Sequence, residues 1–451
     1  MNKENPASEA GEAGQPDGAV LVGPSNWQSG VTPNYRSFIL VMMTLVYVVN
    51  YLDRQILGIL MRQIKTEFHL SGLQVGVLSG PAFAIIYATL GIPVAILADR
   101  ANRRNIVSAS MAVFSLMTVV CGFAGNFWHL FLARVGTGIG EAGTGPSINS
   151  ILADLYPAEK RASALSFYTA GLNVGLLIGF FGGGWVAQHY GWRHAFLAAG
   201  IPGLVLAIMV QFSVREPKRG MAENLKDTVV APSLISVVKF LWDQKSFRWM
   251  SIGTAFSSFG GYAGITFIPL FLAYSHGMKE AEIGLVLSVL TGVFGAIGTY
   301  MAGVFADRFA KRDVRWNLYI PIIATFMAIP FAPLFYLVAD KDIALAAGIV
   351  PALVAAAYVG PAYAMAQALV PIRMRARSVA ILLFVLNFIG YGFGPPVVGK
   401  ISDLLEPYVG TNSYRYAMLS GIVTGLIGAY CYWRSTATLK ADLAKVSGAA
   451  A

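Results

Sequence analysis

The sequence predicts an all-α membrane protein with twelve transmembrane helices in two pseudo-symmetric six-helix bundles. Three observations lead there: a composition too apolar for water, twelve hydrophobic runs of bilayer length, and a repeat relating the two halves of the chain. Of 451 residues, 56% are hydrophobic and only 12% are charged, against about 25% charged in an ordinary soluble domain. That excludes a soluble enzyme of several domains. It also excludes disordered and collagen-like chains, which lack large apolar side chains. The 48 glycines and 15 methionines suit helices that pack closely in lipid. Cys121 and Cys431 lie far apart in apolar runs, so neither a disulfide framework nor a zinc site is expected.

Runs of about 20 apolar residues, the length that crosses a bilayer core, occur at 37–60, 73–97, 105–125, 127–153, 161–188, 194–213, 247–274, 282–305, 317–339, 343–370, 376–402 and 414–433. Strands of alternating polarity are absent, which excludes a membrane β-barrel. Residues 1–34 form a polar, disordered tail without a signal peptide. The first six helices occupy 35–213, a basic linker 214–246, the second six 247–434, and a closing tail 435–451. In the linker, Leu234, Val237, Val238 and Leu241 recur at helical spacing. That pattern suits either an amphipathic helix on the membrane surface or a loose connection.

The net charge of +10 reflects orientation in the membrane. With the N-terminus in the cytoplasm, 24 Lys and Arg fall in inner segments, seven in outer segments and two within spans; both termini are therefore expected to be cytoplasmic. No aromatic-plus-basic stripe marks a nucleic-acid binder. His69, His129, His189, His194 and His276 map to the outer edges of spans, where wetted side chains are expected in place of a proton relay.

The repeat is explicit. Residues 97–104 read L-A-D-R-A-N-R-R and residues 305–312 read F-A-D-R-F-A-K-R, offset by 208 positions. Gly76 and Gly284 share that offset. Pro157 with Arg161 recurs as Pro371 with Arg375, and Asn173 as Asn387, at an offset of 214. Parallel six-helix repeats of this kind mark alternating-access transporters.

The D-R-x-x-R-R loop and its echo resemble the signature loop of the major facilitator superfamily, with Ala95, Asn102 and Ala310 departing from its glycines. In the first half, N-Y-L-D-R (50–54), L-A-D-R-A-N-R-R (97–104), R-V-G-T-G-I-G-E-A (134–142), I-L-A-D-L (151–155) and V-R-E-P-K-R-G (214–220) are similar to the spinster family of lysolipid and sphingosine-phosphate transporters. That resemblance implies the major facilitator fold, with the first and fourth spans lining a central cavity. It also implies an inner gate. Asp99, Arg100, Arg103 and Arg104 would pair across the bundle interface with Asp307, Arg308, Lys311 and Arg312, helped by Asp154, Arg161 and Arg375.

Four ionisable residues fall clearly within spans: Asp53, Arg54, Arg134 and Glu141. Each costs about 2.5–3.5 kcal/mol at the bilayer centre, so four unpaired charges would cost about 10–14 kcal/mol, as much as a whole fold is worth. Their charges sum to zero, which permits complete pairing. Arg134 and Glu141 share one face of the fourth span, two turns apart. Gly136, Gly138 and Gly140 between them allow a close neighbour. Asp53 and Arg54 point about 100° apart, so at most one faces the cavity. The expected pairs are Asp53–Arg134 and Arg54–Glu141. Substrate contacts are assigned to Arg54, Arg134, Glu141, Asn50, Tyr262 and Thr291, and proton coupling to Asp53 and Glu141. Protonating a carboxylate would free an arginine to grip an anionic head.

The second half carries no charge within its spans, and its polar residues, such as Ser257, Ser258, Tyr262, Thr291, Tyr358, Tyr363, Gln367 and Asn387, suit helix–helix hydrogen bonds. A charged half facing an apolar half favours an amphiphile. The segment Gly138–Gly143 matches G-x-G-x-x-G but sits in a span with no preceding strand, so no dinucleotide is expected. No Walker loop, H-E-x-x-H or G-x-S-x-G occurs. The expectation is a monomeric secondary transporter, not an enzyme, without cofactor or metal. It would move an amphiphilic anionic lipid with protons across a bacterial inner membrane. The alternatives are a multidrug or organic-anion carrier on the same fold and, from other classes, a lipid-modifying membrane enzyme or a sensor.

Overall fold

The computed structural model describes residues 32–98, 100–219, 233–371 and 374–446, which are helical throughout with no strand among them. Ten of its helices are long and apolar enough to cross a membrane. One of these, Arg375–Val446, is two antiparallel spans, because Gly410 turns the chain at φ 59. The fourth span is broken into Phe127–Glu141 and Thr144–Leu155, each too short to cross alone. Twelve spans result, in two bundles of six.

Local chemistry fixes where spans begin and break. Thr32 caps the first span, Pro33–Phe68, with Pro33 in its opening turn, where the missing N–H costs nothing. The second span is Gly72–Ser79 followed by Pro81–Ala98, interrupted at Gly80; Ser71 and Gln74 close its start with a capping box. The third span (Arg103–Gly122) is capped by Asn102, the residue that replaces glycine in the signature loop. The sixth and seventh spans are Trp192–Ser213 and Lys245–His276. The last helix, Ser420–Val446, runs past 435, with Leu439 and Asp442 buried, so much of the expected closing tail is packed helix. Three spans contain π-helical turns: Ile178–Gly182 in the fifth, Ser288–Phe294 in the eighth and Leu386–Tyr391 in the eleventh.

The linker forms a helix over Leu234–Trp242, capped by Ser233. Val237 and Leu241 are buried against the second bundle beside Phe247, Met250 and Leu382, whereas Ile235, Val238 and Trp242 are exposed. The linker helix thus has one face packed on protein and one face exposed.

Two glycine seams join the bundles at the end opposite the chain termini. A Cβ on Gly76 would stand 2.3 Å from the Pro395 carbonyl oxygen of the eleventh span, and one on Gly284 2.2 Å from the Phe180 carbonyl oxygen of the fifth. Spans two and eleven, and eight and five, thus touch backbone to backbone, through the very glycines that share the repeat offset. Side-chain oxygens cap helix starts across each seam: Asp403 accepts from Gly72 and Leu73 N–H (2.5 and 2.8 Å) and Gln188 from Ala281 N–H (3.1 Å). Between the seams, Arg62 pairs with buried Glu280 (2.5 Å), which also accepts from Gln63. This end is shut.

Gly76→Ala and Gly284→Ala should therefore wedge this end apart while leaving each bundle folded. Because Cys121 and Cys431 are both buried, a cysteine placed at Ala281 reports selectively. Its labelling by an impermeant maleimide should rise roughly tenfold in either variant, the scale of a modest population shift. Unchanged labelling would show that the seams do not hold this end closed.

Candidate functional site

The broken fourth span builds the site. Its first piece ends at Glu141, and the chain restarts at Thr144. The linking residues Ala142 and Gly143 keep right-handed helical angles and are buried, as are Glu141 and Thr144 on either side. Close packing on both sides makes the break possible: a Cβ on Gly138 would stand 2.8 Å from the Phe83 carbonyl oxygen of the second span, and one on Gly140 2.4 Å from the Phe114 nitrogen of the third. Thr144 donates its hydroxyl back to the Glu141 carbonyl (2.9 Å) and accepts from the Asn50 amide (2.9 Å), which ties the break to the first span.

The four core charges pair as the sequence suggests. Arg134 Nη1 lies 2.8 Å from Asp53 Oδ2, and Thr118 of the third span donates to the other carboxylate oxygen at 2.9 Å. Arg54 approaches Glu141 with two nitrogens, at 2.6 and 3.1 Å. The pairs differ in access. Arg134 and Asp53 side chains are 0% and 1% exposed, whereas Arg54 is 9% exposed, so Arg54–Glu141 is the pair that meets the space between the bundles. Asp53 turns into the first bundle and Arg54 toward the second, as their separation around the helix requires. Arg134 Nε and Nη2 and the Asn50 carbonyl oxygen are buried without a hydrogen-bond partner.

Aromatic rings enclose the Arg54 guanidinium: Tyr51, Phe83 and Tyr87 have centroids 5.2, 4.9 and 4.7 Å from it. Phe83 also lies under Arg134 at 5.5 Å. The second bundle supplies the facing wall, where Tyr391 stacks on Tyr262 at 4.2 Å and leans on Phe83, and Tyr262 donates to the Asn387 side chain at 3.4 Å. Such cation–π contacts hold a desolvated cation with about 2 kcal/mol or more each. Tyr51 was legible beside Asp53 in N-Y-L-D-R, and Phe83 with Tyr87 as a pair at helical spacing. Nothing in the sequence marked Tyr391 as the residue that meets them. Of the expected substrate contacts, Thr291 donates its hydroxyl to the Leu287 carbonyl of its own helix (2.7 Å).

Among the described residues, no ion pair joins the residues expected at an inner gate across the bundle interface. Buried Arg103 pairs with Asp154 and with Glu216 (2.7 Å), and donates to the Pro217 carbonyl, all within or next to the first bundle. Glu216, in the quoted V-R-E-P-K-R-G block, was not foreseen as its partner. Arg104 bonds Asn105, and Arg161 bonds the Ala153 carbonyl. Arg100, Asp307, Arg308, Lys311, Arg312 and Arg375 are exposed; Asp99 lies outside the described residues. Beyond the eighth span, Asp313 is held well below the usual carboxylate range because Arg315 donates to it. It also pairs with Lys440 (3.1 Å). All the cross-bundle ion pairs and caps described lie at the shut end, so the other end is unlatched among the described residues.

Twelve spans in two related bundles, shut at one end around a buried ion-pair core, define a membrane transporter. The chain belongs to the Major Facilitator Superfamily, whose family model matches residues 43–395 and again 251–448. Within that superfamily it is spinster-like. It resembles an MFS-type efflux pump of Mycolicibacterium smegmatis, 33% identical over 89% of this chain and 93% of the relative. It also resembles the protein spinster homolog 1 of Xenopus tropicalis, 26% identical over 88% of this chain and 80% of the relative. Its fold matches the crystal structure of a bacterial homolog of the human lysosomal transporter Spinster in an inward-facing, unoccupied conformation, with a TM-score of 0.84 and 30% identity over 92% of this chain and 99% of that one.

The sealed pair makes a clear energetic prediction. Asp53→Ala strands the fully buried Arg134 charge and should cost about 3–5 kcal/mol, whereas Asp53→Leu with Arg134→Leu should restore most of that loss. Unfolding of the purified protein in detergent measures both. Additive losses in the double variant would mean the two side chains are not energetically coupled.

Proposed function

We propose that this protein moves an amphiphilic anionic lipid, of the lysophospholipid or sphingosine-1-phosphate type, across the membrane by alternating access coupled to protons. The observation that carries the reading is the Arg54–Glu141 pair, the more accessible of the two core pairs, boxed by rings at the junction of a bundle with charges deep within its spans and one whose charges lie toward span ends. A phosphate can take the place of the Glu141 carboxylate on the Arg54 fork, since each presents two acceptor oxygens to the planar guanidinium. An acyl tail then lies against the second bundle near Tyr262 and Tyr391. Protonation of Glu141 releases Arg54 to the head, and Asp53 offers a second, deeper site for a proton. With the termini in the cytoplasm of a bacterial inner membrane, the unlatched end faces inward. In the opposite state Asp307, Arg308, Arg312 and Arg375 would close against Asp99, Arg100, Arg103 and Arg104. The likeness to an MFS-type efflux pump supports a second reading, a carrier of drugs or small organic anions.

Proteoliposome flux separates these readings. Radiolabelled lysolipids should move faster under a pH gradient than without one, and a panel of small anions and drugs should not. Arg54→Ala should abolish lysolipid flux, while Glu141→Gln and Asp53→Asn should leave only flux that ignores pH. Preferential uptake of small anions, or pH-driven transport that survives both carboxylate variants, would overturn the proposal.

A further inference from the structure

The linker helix and the ends of spans seven and twelve build a second charged surface, remote from the ion-pair core. Arg248 lies over the Trp242 ring at 5.9 Å, and Arg434 over the Trp249 ring at 5.6 Å. Trp249 packs edge-on against Tyr430 at 6.2 Å, and Tyr430 leans on Trp433 at 6.0 Å. These contacts form two clusters, Trp242 with Arg248 and Trp249 with Arg434, Tyr430 and Trp433, which meet where Arg248 and Trp249 are consecutive in the seventh span, and together they make a strip. Trp242, Tyr430 and Trp433 are 67%, 50% and 57% exposed, and Ile235 on the linker helix is 81% exposed. Lys239 and Lys245 flank the strip, and Asp243 is the acid adjoining it. Neither Arg248 nor Arg434 forms an ion pair among the described residues.

Position says what covers this strip. Spans seven and twelve cross the bilayer, and the strip sits where they leave it at the termini end. Tryptophan and tyrosine favour that level because their rings accept both hydrocarbon and water. A guanidinium drawn to a ring face at 5.6–5.9 Å keeps N–H groups for another partner, and its planar fork matches two phosphate oxygens. The linker helix adds apolar side chains on its outer face, as a helix lying in the headgroup layer requires.

We propose that Arg248 and Arg434, each braced on a tryptophan, bind the phosphate of an anionic phospholipid headgroup at this surface. The site fastens the linker helix, and with it the second bundle, to the headgroup layer. It takes resident bilayer lipid and is separate from the Arg54–Glu141 site, so it stands or falls independently of the transported substrate.

Quenching of tryptophan fluorescence by brominated lipids tests this on the full chain in nanodiscs. Brominated phosphatidylglycerol should associate roughly tenfold more tightly than brominated phosphatidylcholine, the scale expected of two basic side chains at an anionic surface. Arg248→Gln with Arg434→Gln should bring the two lipids to parity. Arg215→Gln with Lys218→Gln, which removes the same charge elsewhere on that end, should leave the preference intact. Millimolar glycerophosphate should not displace the lipid. Equal affinities in the native protein, equal loss in both double variants, or displacement by glycerophosphate would each overturn the proposal, the last by showing a site for free phosphate.

Discussion

Charge cannot be left alone in hydrocarbon, and most of what is distinctive here follows from that. Two acids and two bases placed within spans force the first and fourth helices together, since only mutual pairing removes a burden comparable to the stability of the fold. The fourth span must then come close enough to its neighbours to deliver Arg134 and Glu141, which glycines at alternate positions allow. It must also break after Glu141, so that a carboxylate and an opened helix end stand side by side. The two pairs come out unequal. One is sealed among third-span and fourth-span side chains. The other sits in a ring-lined slot at the junction of the bundles, where an incoming anion could compete for it.

Movement imposes the second constraint. A transporter of this class must part its bundles at one end while joining them at the other, so its inter-bundle contacts have to be tight yet few. Backbone-to-backbone glycine seams meet that demand: helix-start N–H groups donate across them to Asp403 and Gln188, and the Arg62 and Gln63 side chains donate to Glu280. At the opposite end the basic loops remain apart, and Arg103 is held within its own half by Asp154 and Glu216.

Much of this was legible in the sequence. The spans follow from run length, the pairing from a zero charge sum and a two-turn spacing, and the seam glycines from the shared offset of Gly76 and Gly284. What stayed hidden depends on how the halves face each other. Tyr391 reaches Phe83 only because the eleventh span crosses the second, and no local pattern records such a crossing. The fourth span read as one continuous run, because hydrophobicity does not register a two-residue break at Ala142 and Gly143. No local pattern marks Glu280 as buried, yet Arg62 and Gln63 of the first span close over it.

The π-helical turns bear on how the seams stay in phase. Each such turn holds one residue more than the α-helical turn it replaces, and in the fifth and eighth spans these turns adjoin the residues that face each other across the interface. Absorbing that extra residue would rotate everything beyond it by about 100°. Gly284 would swing away from Phe180, and a bulkier side chain would take its place. The surplus residue therefore acts as a vernier: it sets which face of each helix arrives at the junction, and a single-residue deletion there would undo the register of the adjoining contact.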